Sequence, residues 1–295
     1  MSFDAGSARN VQRVTSRNAW FQKAEAVKRN RKKRWQHRLF FVEDVRSLNE
    51  LLRTRRFEVE ALLCAPERAP SEWARNILRD LPSAHRLELS LELMTELSDK
   101  ESGPSEVQAL VRIPDIDQLP AEFAAEDVIL LLDRPSNPGN LGSILRSCDA
   151  FGVRHVVIFG HAVDPFDPVV VRAAAGAFFQ MQIWRVESRE ALSGWFTSWR
   201  QRHAGAQAIG TTARSEHVLS DCDLRRPTLL LFGNETLGLS DWLKTQCEQL
   251  ATLPMRGVAS SLNLACAVTA SLFELDRQRR AAETQGLTSL SGSAK

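Results

Sequence analysis

Residues 128–152 read VILLLDRPSNPGNLGSILRSCDAFG. The stretch opens on an unbroken apolar run, Val128 to Leu132, of the kind that forms a strand buried on both faces. A turn-rich segment, 133–142, follows with two prolines and two glycines. After it Leu141, Ile144, Leu145 and Cys148 recur at helical spacing, with Arg146 on the same segment. Strand, Gly/Asn loop, helix is the unit at which open α/β sheets place ligands, beyond the carboxyl end of a strand.

Working outward, the same grammar repeats on both sides. Toward the C-terminus, strands are expected over 153–160, 183–186, 206–211 and 229–232, and helices over 169–178, 190–202, 240–249 and 261–280. The last helix carries a broad apolar stripe through Leu262, Cys266, Thr269, Leu272, Phe273 and Leu275. Toward the N-terminus, short strands over 39–42, 59–64, 85–89 and 107–113 alternate with helices over 45–55, about 73–78 and 91–97, a small α/β domain in its own right. The expected organisation is a basic flexible arm over 1–30, a first α/β domain over 31–115 and a linker over 116–127. A second α/β domain over 128–282 and a disordered Gly/Ser/Thr-rich tail over 283–295 complete it.

Composition narrows the function classes. The chain has 295 residues and 43% hydrophobic content, enough for two domains with real cores. No apolar run approaches the roughly 20 residues of a membrane span, and the polar, basic N-terminus has no secretory apolar region. The five cysteines are scattered, without a Cys-x-x-Cys pair, which argues against a zinc ribbon or disulfide framework and fits a reducing cytoplasm. The six histidines show no metal-ligand spacing, so no metal is expected. Net charge is +2, but its distribution is uneven. Between Arg9 and Arg38 there are eleven Lys/Arg against one acid, Glu25, so this segment carries +10 and the remainder −8. Such asymmetry is a footprint of nucleic-acid contact; the alternative is a solvated basic tail.

Three loops each follow an apolar strand and are rich in Gly, Asn and Ser: 137–143 (NPGNLGS) with Arg146, 232–239 (FGNETLGL) and 253–263 (LPMRGVASSLN). None is a Walker-type phosphate loop or a dinucleotide fingerprint. Taken together, in this order, they resemble the signature motifs of the SpoU-type (TrmH-like) RNA 2′-O-ribose methyltransferases of the SPOUT superfamily. The first pattern, N-P-x-N-x-G-x-x-x-R, is matched by Asn137, Pro138, Asn140, Gly142 and Arg146. The second, F-G-x-E-x-x-G-L, is matched by Phe232, Gly233, Glu235, Gly238 and Leu239. The third, P-M-x-G-x-x-x-S-L-N, is matched by Pro254, Met255, Gly257, Ser261, Leu262 and Asn263. The resemblance covers about 128–278. Residues 39–43 and 97–102 look like the family's ribosomal-protein-like substrate domain, although Asp44 stands where that domain usually has Gly.

The resemblance implies an α/β fold: a trefoil-knotted, mostly parallel SPOUT domain preceded by a small α/β ribosomal-protein-like domain. It implies S-adenosylmethionine as methyl donor, a homodimer, and a cofactor pocket lined by Thr211, Phe232, Gly233, Leu253, Met255 and Leu262. Arg146 would be the catalytic arginine, clamping a phosphate and stabilising the developing alkoxide, since a guanidinium is too basic to serve as a literal base. Asn140 would orient Arg146 or the ribose, Glu235 would hold Arg146 or a dimer contact, and Ser261 and Asn263 would position ribose or phosphate or cap a helix. Arg172 is a further RNA-contact candidate beside the plain surface-charge reading. Ribosomal RNA is the expected substrate, in a housekeeping or an antibiotic-resistance modification. A transfer-RNA methyltransferase and a non-catalytic ribosome-assembly factor are the alternatives.

Overall fold

The computed structural model describes residues 11–81, 84–120 and 128–292, with side chains described as far as 284. Contacts divide the chain into two units: Met1–Pro114 with Asp164–Gln180, and Asp115–Val163 with Met181–Lys295. Seven residues of the expected linker, 121–127, lie outside the described residues.

The first unit is built on a five-stranded mixed sheet in the order β1-β4-β3-β5-β2. Its strands are β1 (Val11–Val14), β2 (Leu39–Val42), β3 (Val59–Cys64), β4 (His85–Leu89) and β5 (Val107–Arg112). β1, β4 and β3 run parallel; β5 pairs antiparallel with both β3 and β2. Helices α1 (Ala19–Arg29), α2 (Arg31–His37), α3 (Val45–Thr54), α4 (Glu72–Asp80) and α5 (Leu91–Glu96) accompany it. Each of these five helices is N-capped by an Asn, Asp or Ser side chain accepting from backbone N–H groups.

The expected flexible arm is corrected over its described part. Val14 lies in β1, and Phe21, Ala24 and Val27 of α1 are buried in the sheet core with Phe41, Leu63 and Leu87. The charge of this stretch hides an apolar face at helical spacing. Two of its cations are interior: Lys28 Nζ binds Leu97 O at 2.7 Å and Asp99 at 2.6 Å. Arg34, 2% exposed, donates to Asp164 Oδ2 at 2.6 Å, Asp167 Oδ2 at 2.7 Å and the carbonyls of Val27 and Lys28. A buried guanidinium is tolerated only when so fully paired.

Both of those carboxylates come from 164–180, a segment that lies in sequence between strands of the second unit. It adds Phe166, Phe178 and Phe179 to an aromatic cluster with Phe40 and Phe57. The single helix expected at 169–178 is instead α7 (Pro168–Ala173) followed by a 3-10 turn, Ala177–Gln180. Ala175 (φ 52°) and Gly176 (φ 95°) break it by turning left-handed. A Cβ on Gly176 would sit 3.2 Å from Arg46 O.

The second unit is a six-stranded, all-parallel sheet in the order β11-β9-β10-β6-β7-β8. Its strands are β6 (Val128–Asp133), β7 (His155–Phe159), β8 (Gln182–Val186), β9 (Gln207–Thr211), β10 (Thr228–Phe232) and β11 (Gln249–Ala251). Its helices are α6 (Pro138–Ala150), α8 (Arg189–Arg202), α9 (Asp241–Thr245) and α10 (Leu264–Gly292). Ile129, Leu131, Val157, Leu229 and Leu231 pack under Leu192, Phe196 and Trp199 of α8. Their neighbours Leu130, Leu132, Val156, Ile158 and Leu230 are equally buried, as parallel strands sandwiched between helices require.

Three expectations change here. The helix expected at 240–249 stops at Thr245, leaving room for β11. The buried stripe of α10 runs through Leu264, Val268, Leu272 and Leu275, whereas Leu262, Cys266 and Phe273 are exposed. The tail expected to be disordered from 283 continues α10 to Gly292, and its last residues, 293–295, lie outside the described residues.

Candidate active site

In the sheet order, β6 and β10 are neighbours whose following connections leave in opposite directions: β6 leads to β7 on one side, β10 to β11 on the other. Such a switch point opens a crevice at the carboxyl ends of the strands. The loops after β6 and β10 meet there. Asp133, the last residue of β6, is fully buried, accepts from Ser240 N at 2.7 Å and is paired by Arg134. Arg134 is left-handed (φ 53°), and its carbonyl accepts from Asn234 Nδ2 at 2.7 Å.

The loop 234–238 is held tightly. Asn234 and Gly238 exchange backbone hydrogen bonds at 3.1 and 2.8 Å, and Asn234 Oδ1 accepts from Thr236 N and Leu237 N. A Cβ on Gly233 would lie 2.0 Å from Gly238 C and Leu239 N, so only glycine permits this closeness. The loop thereby presents Glu235 to the start of α6. Its Oε2 accepts from Ser136 N (3.2 Å) and Ser136 Oγ (2.8 Å); its Oε1 accepts from Asn137 N (3.3 Å) and Asn140 Nδ2 (3.1 Å). Burial pushes the Glu235 carboxyl up, but hydrogen bonds from its own backbone, Asn140 and Ser136 outweigh it, and its pKa lies below the usual value.

Asn137 is the N-cap of α6, accepting from Asn140 N at 2.9 Å with Pro138 at the first helical position. Asn140 then bridges onward: its Oδ1 accepts from Asn263 Nδ2 at 3.0 Å. Asn263 in turn caps α10, its Oδ1 accepting from Ala265 N at 2.9 Å. Glu235, Asn140 and Asn263 therefore form one hydrogen-bonded line through all three motif loops.

Beside this line lies a cavity of about 360 Å³, within the size range of cofactor pockets. Thr211, Phe232, Gly233, Leu253, Met255 and Leu262 all line it, as do Glu235 and Ser261. Its walls are mixed: apolar Leu239, Leu264 and Ala267 face backbone of the loops at 211–213 and 233–238. Thr211 Oγ1 is spent on Leu231 O (2.9 Å), so the strand ends are fixed before any ligand arrives.

The remaining candidates stand apart. Arg146 is exposed on α6, with no hydrogen bond or ion pair among the described residues. It is not held by Glu235, whose acceptors go to Ser136, Asn137 and Asn140. Ser261 is exposed at the cavity edge and makes no hydrogen bond among the described residues. Arg172 lies in the first unit, 3.9 Å from Asp99. Among the described residues no three His, Cys, Asp or Glu side chains gather as a metal-binding group, and no helix is long and apolar enough to cross a membrane. Sequence reasoning missed Ser136, Asn234 and Asp133. The Asn-Pro step at 137–138 was a readable helix start; the other two gave no signal without their partners.

The chain is also similar to known proteins. Residues 127–273 match the model of the SpoU rRNA methylase family, and residues 18–109 match the SpoU L30e-like domain. A 23S rRNA (uridine(2479)-2′-O)-methyltransferase of Streptomyces viridochromogenes is 40% identical over 93% of this chain and 95% of its own. The crystal structure of the SpoU methyltransferase AviRb from the same organism, in complex with AdoMet, is 38% identical with a TM-score of 0.83. That match covers 89% of this chain and 98% of that one. An AdoMet-bound rRNA methyltransferase from Sinorhizobium meliloti is 27% identical with a TM-score of 0.79, over 91% and 98% of the two chains.

Proposed function

The chain belongs to the SpoU rRNA methylase family, and from that premise we propose that it methylates a ribose 2′-hydroxyl of ribosomal RNA with S-adenosylmethionine. The observation that carries this reading is the line Glu235–Asn140–Asn263, which gathers three distant motifs at the lip of one cofactor-sized cavity.

The cavity fits the cofactor chemically. Closely approaching backbone at Gly233 and Gly238, with apolar Phe232, Leu253, Met255 and Leu262, suits an adenine ring and a short polar chain. When bound, S-adenosylmethionine supplies an electrophilic methyl group on a sulfonium. The ribose 2′-oxygen bonds to that carbon as the carbon–sulfur bond breaks, leaving neutral S-adenosylhomocysteine, and the hydroxyl proton passes to an RNA phosphate or water.

The protein's own work is placement. Exposed and without a protein partner among the described residues, Arg146 is free to pair with an RNA phosphate bidentately and to stabilise the developing alkoxide. Asn140 and Asn263 fix the start of α6 against the start of α10. Glu235 anchors that junction by accepting four hydrogen bonds. Ser261, at the cavity edge, is placed to meet the ribose.

The same reading assigns RNA binding to the first unit and catalysis to the second, within the expected limits 31–115 and 128–282. It includes a homodimer: Leu262, Phe273 and the fully exposed Val258 offer apolar surface on or before α10. It includes a trefoil knot in the loops after β10 and β11, and a cytoplasmic place of work, where ribosomal RNA is made and assembled. Incubation with methyl-labelled S-adenosylmethionine and separate unmodified ribosomal and transfer RNA tests the reading. Label in ribosomal RNA is expected; label in transfer RNA alone contradicts it.

A further inference from the structure

The first unit holds a second cavity, of about 190 Å³, that the catalytic reading does not use. It opens where the parallel strands β3 and β4 end, at Cys64–Pro66 and Glu88, beneath α4 and the start of α5. β4 alternates: Leu87 and Leu89 enter the sheet core, while Arg86 and Glu88 face the cavity. Its floor is apolar, formed by Cys64, Ala74, Leu78 and Met94. Burial pushes the Cys64 thiol up, so the floor carries a neutral thiol rather than a nucleophile.

The polar groups of the cavity are only partly spent: Glu106 accepts from Ser71 N and Ser71 Oγ, and Arg86 is ion-paired with Glu88. Arg86 Nε is buried and has no hydrogen-bond partner among the described residues. Its ion-pair partner Glu88 stands 3.7 Å from that nitrogen, too far for a hydrogen bond, so the Nε–H is left open and the carboxylate is only loosely paired. Arg68 also lines the cavity, and its guanidinium has no ion pair or hydrogen bond among the described residues. Buried donors are rarely left unmet, so an orphan beside a cavity calls for a ligand.

We propose that this cavity takes one unstacked nucleobase of the substrate RNA, its edge read by Arg86 and Glu88 and its face laid on the apolar floor. The inference rests on the RNA-methyltransferase reading and adds a specificity subsite to it. The volume is below that of ordinary cofactor pockets and suits a single ring system. A base edge presents acceptors and donors together, matching a guanidinium beside a carboxylate. A phosphate would meet Glu88 and Glu106, and a purely apolar ligand would leave Arg86 unsatisfied. Structured RNA is recognised largely through such splayed-out bases.

Two substitutions test it in the full chain. Leu91→Trp places bulk at the exposed rim, and Arg86→Met removes a guanidinium whose Nε makes no hydrogen bond and whose ion pair with Glu88 is long and partly exposed, so the melting temperature should fall only slightly. With labelled S-adenosylmethionine and a 23S rRNA transcript, each is expected to raise the KM for RNA about tenfold, the scale of one lost base contact. The kcat at saturating RNA and the affinity for S-adenosylmethionine should stay within twofold. An unchanged KM in both variants overturns the proposal. If the wild type binds the transcript without methylating it, the catalytic reading fails. The pocket is then judged by the RNA dissociation constant, with the same tenfold loss expected and no loss refuting it. A wild type that binds no RNA overturns both.

Discussion

Asn140 Nδ2 donates to Glu235 Oε1 at 3.1 Å across 95 residues of sequence, while the other end of the same amide accepts from Asn263. An amide can serve a carboxylate and a second amide at once because it carries a donor and an acceptor on one planar group. Aspartate at 140 has no donor for Glu235, and leucine has neither. The residue type follows from its position between the two loops.

Replacing Glu235 by Gln keeps the shape but removes a charged acceptor from four donors. Hydrogen bonds to charged groups contribute about 1.5–3 kcal/mol. The variant is therefore expected to lose roughly ten- to a hundredfold in kcat/KM for RNA methylation, measured by label incorporation.

The same carboxyl sets a pH dependence. Its folded pKa is lowered, by hydrogen bonds that outweigh burial, from an ordinary value of 4.5. A depressed carboxyl contributes stability that is fully present above its unfolded pKa and is lost as pH falls through the folded one. Wild type minus Glu235→Gln should therefore show a constant stability difference at neutral pH that shrinks below about pH 4.5. Denaturant unfolding across that range reads it; a difference that grows on acidification contradicts the assignment.

Arg34→Met should be among the costliest single changes in the first unit. It leaves the carboxylates of Asp164 and Asp167 without their cation, one of them 2% exposed. Breaking such a buried pair costs about 3–5 kcal/mol, whereas Lys32→Ala, on the exposed side of α2, should stay within about 0.5 kcal/mol. Equilibrium unfolding separates the two.

Gly233→Ala drives a methyl group into backbone 2.0 Å away. The loop 234–238 must shift, and with it one wall of the cavity. At least about a tenfold loss in S-adenosylmethionine affinity is expected by calorimetry, a misplacement effect of the kind that preorganised sites show.

The fold was legible where local pattern and burial agree. β6, β7 and β10 carry continuous apolar runs, and the edges of β3 and β4 match their spacing to the residue. All six expected cofactor residues line one cavity because Thr211, Phe232, Gly233 and Leu253 stand at the ends of parallel strands, which converge, and the loop from β11 to α10 brings Met255 and Leu262 to the same place. Elsewhere the deciding partners are remote in sequence. The burial of α1 depends on Leu63 and Leu87, and its density of Lys and Arg masks Phe21, Ala24 and Val27. Segment 164–180 could not be assigned to the first unit without seeing Arg34 between its aspartates. β11 has three residues, too few for a period. The exposed Phe273 and buried Leu275 of α10 are both apolar, and no composition argument separates them.

Methylation by the Arg146→Ala variant measures the central claim most directly. Arg146 lies outside the cavity and pairs with no described residue, so its loss should leave S-adenosylmethionine binding within about twofold. Mapping labelled 23S rRNA by alkaline resistance should give one 2′-O-methylated nucleotide with the wild type and none with the variant. Undiminished methylation by the variant, or loss of cofactor binding together with activity, contradicts the role assigned to Arg146 in transferring a methyl group to a ribose.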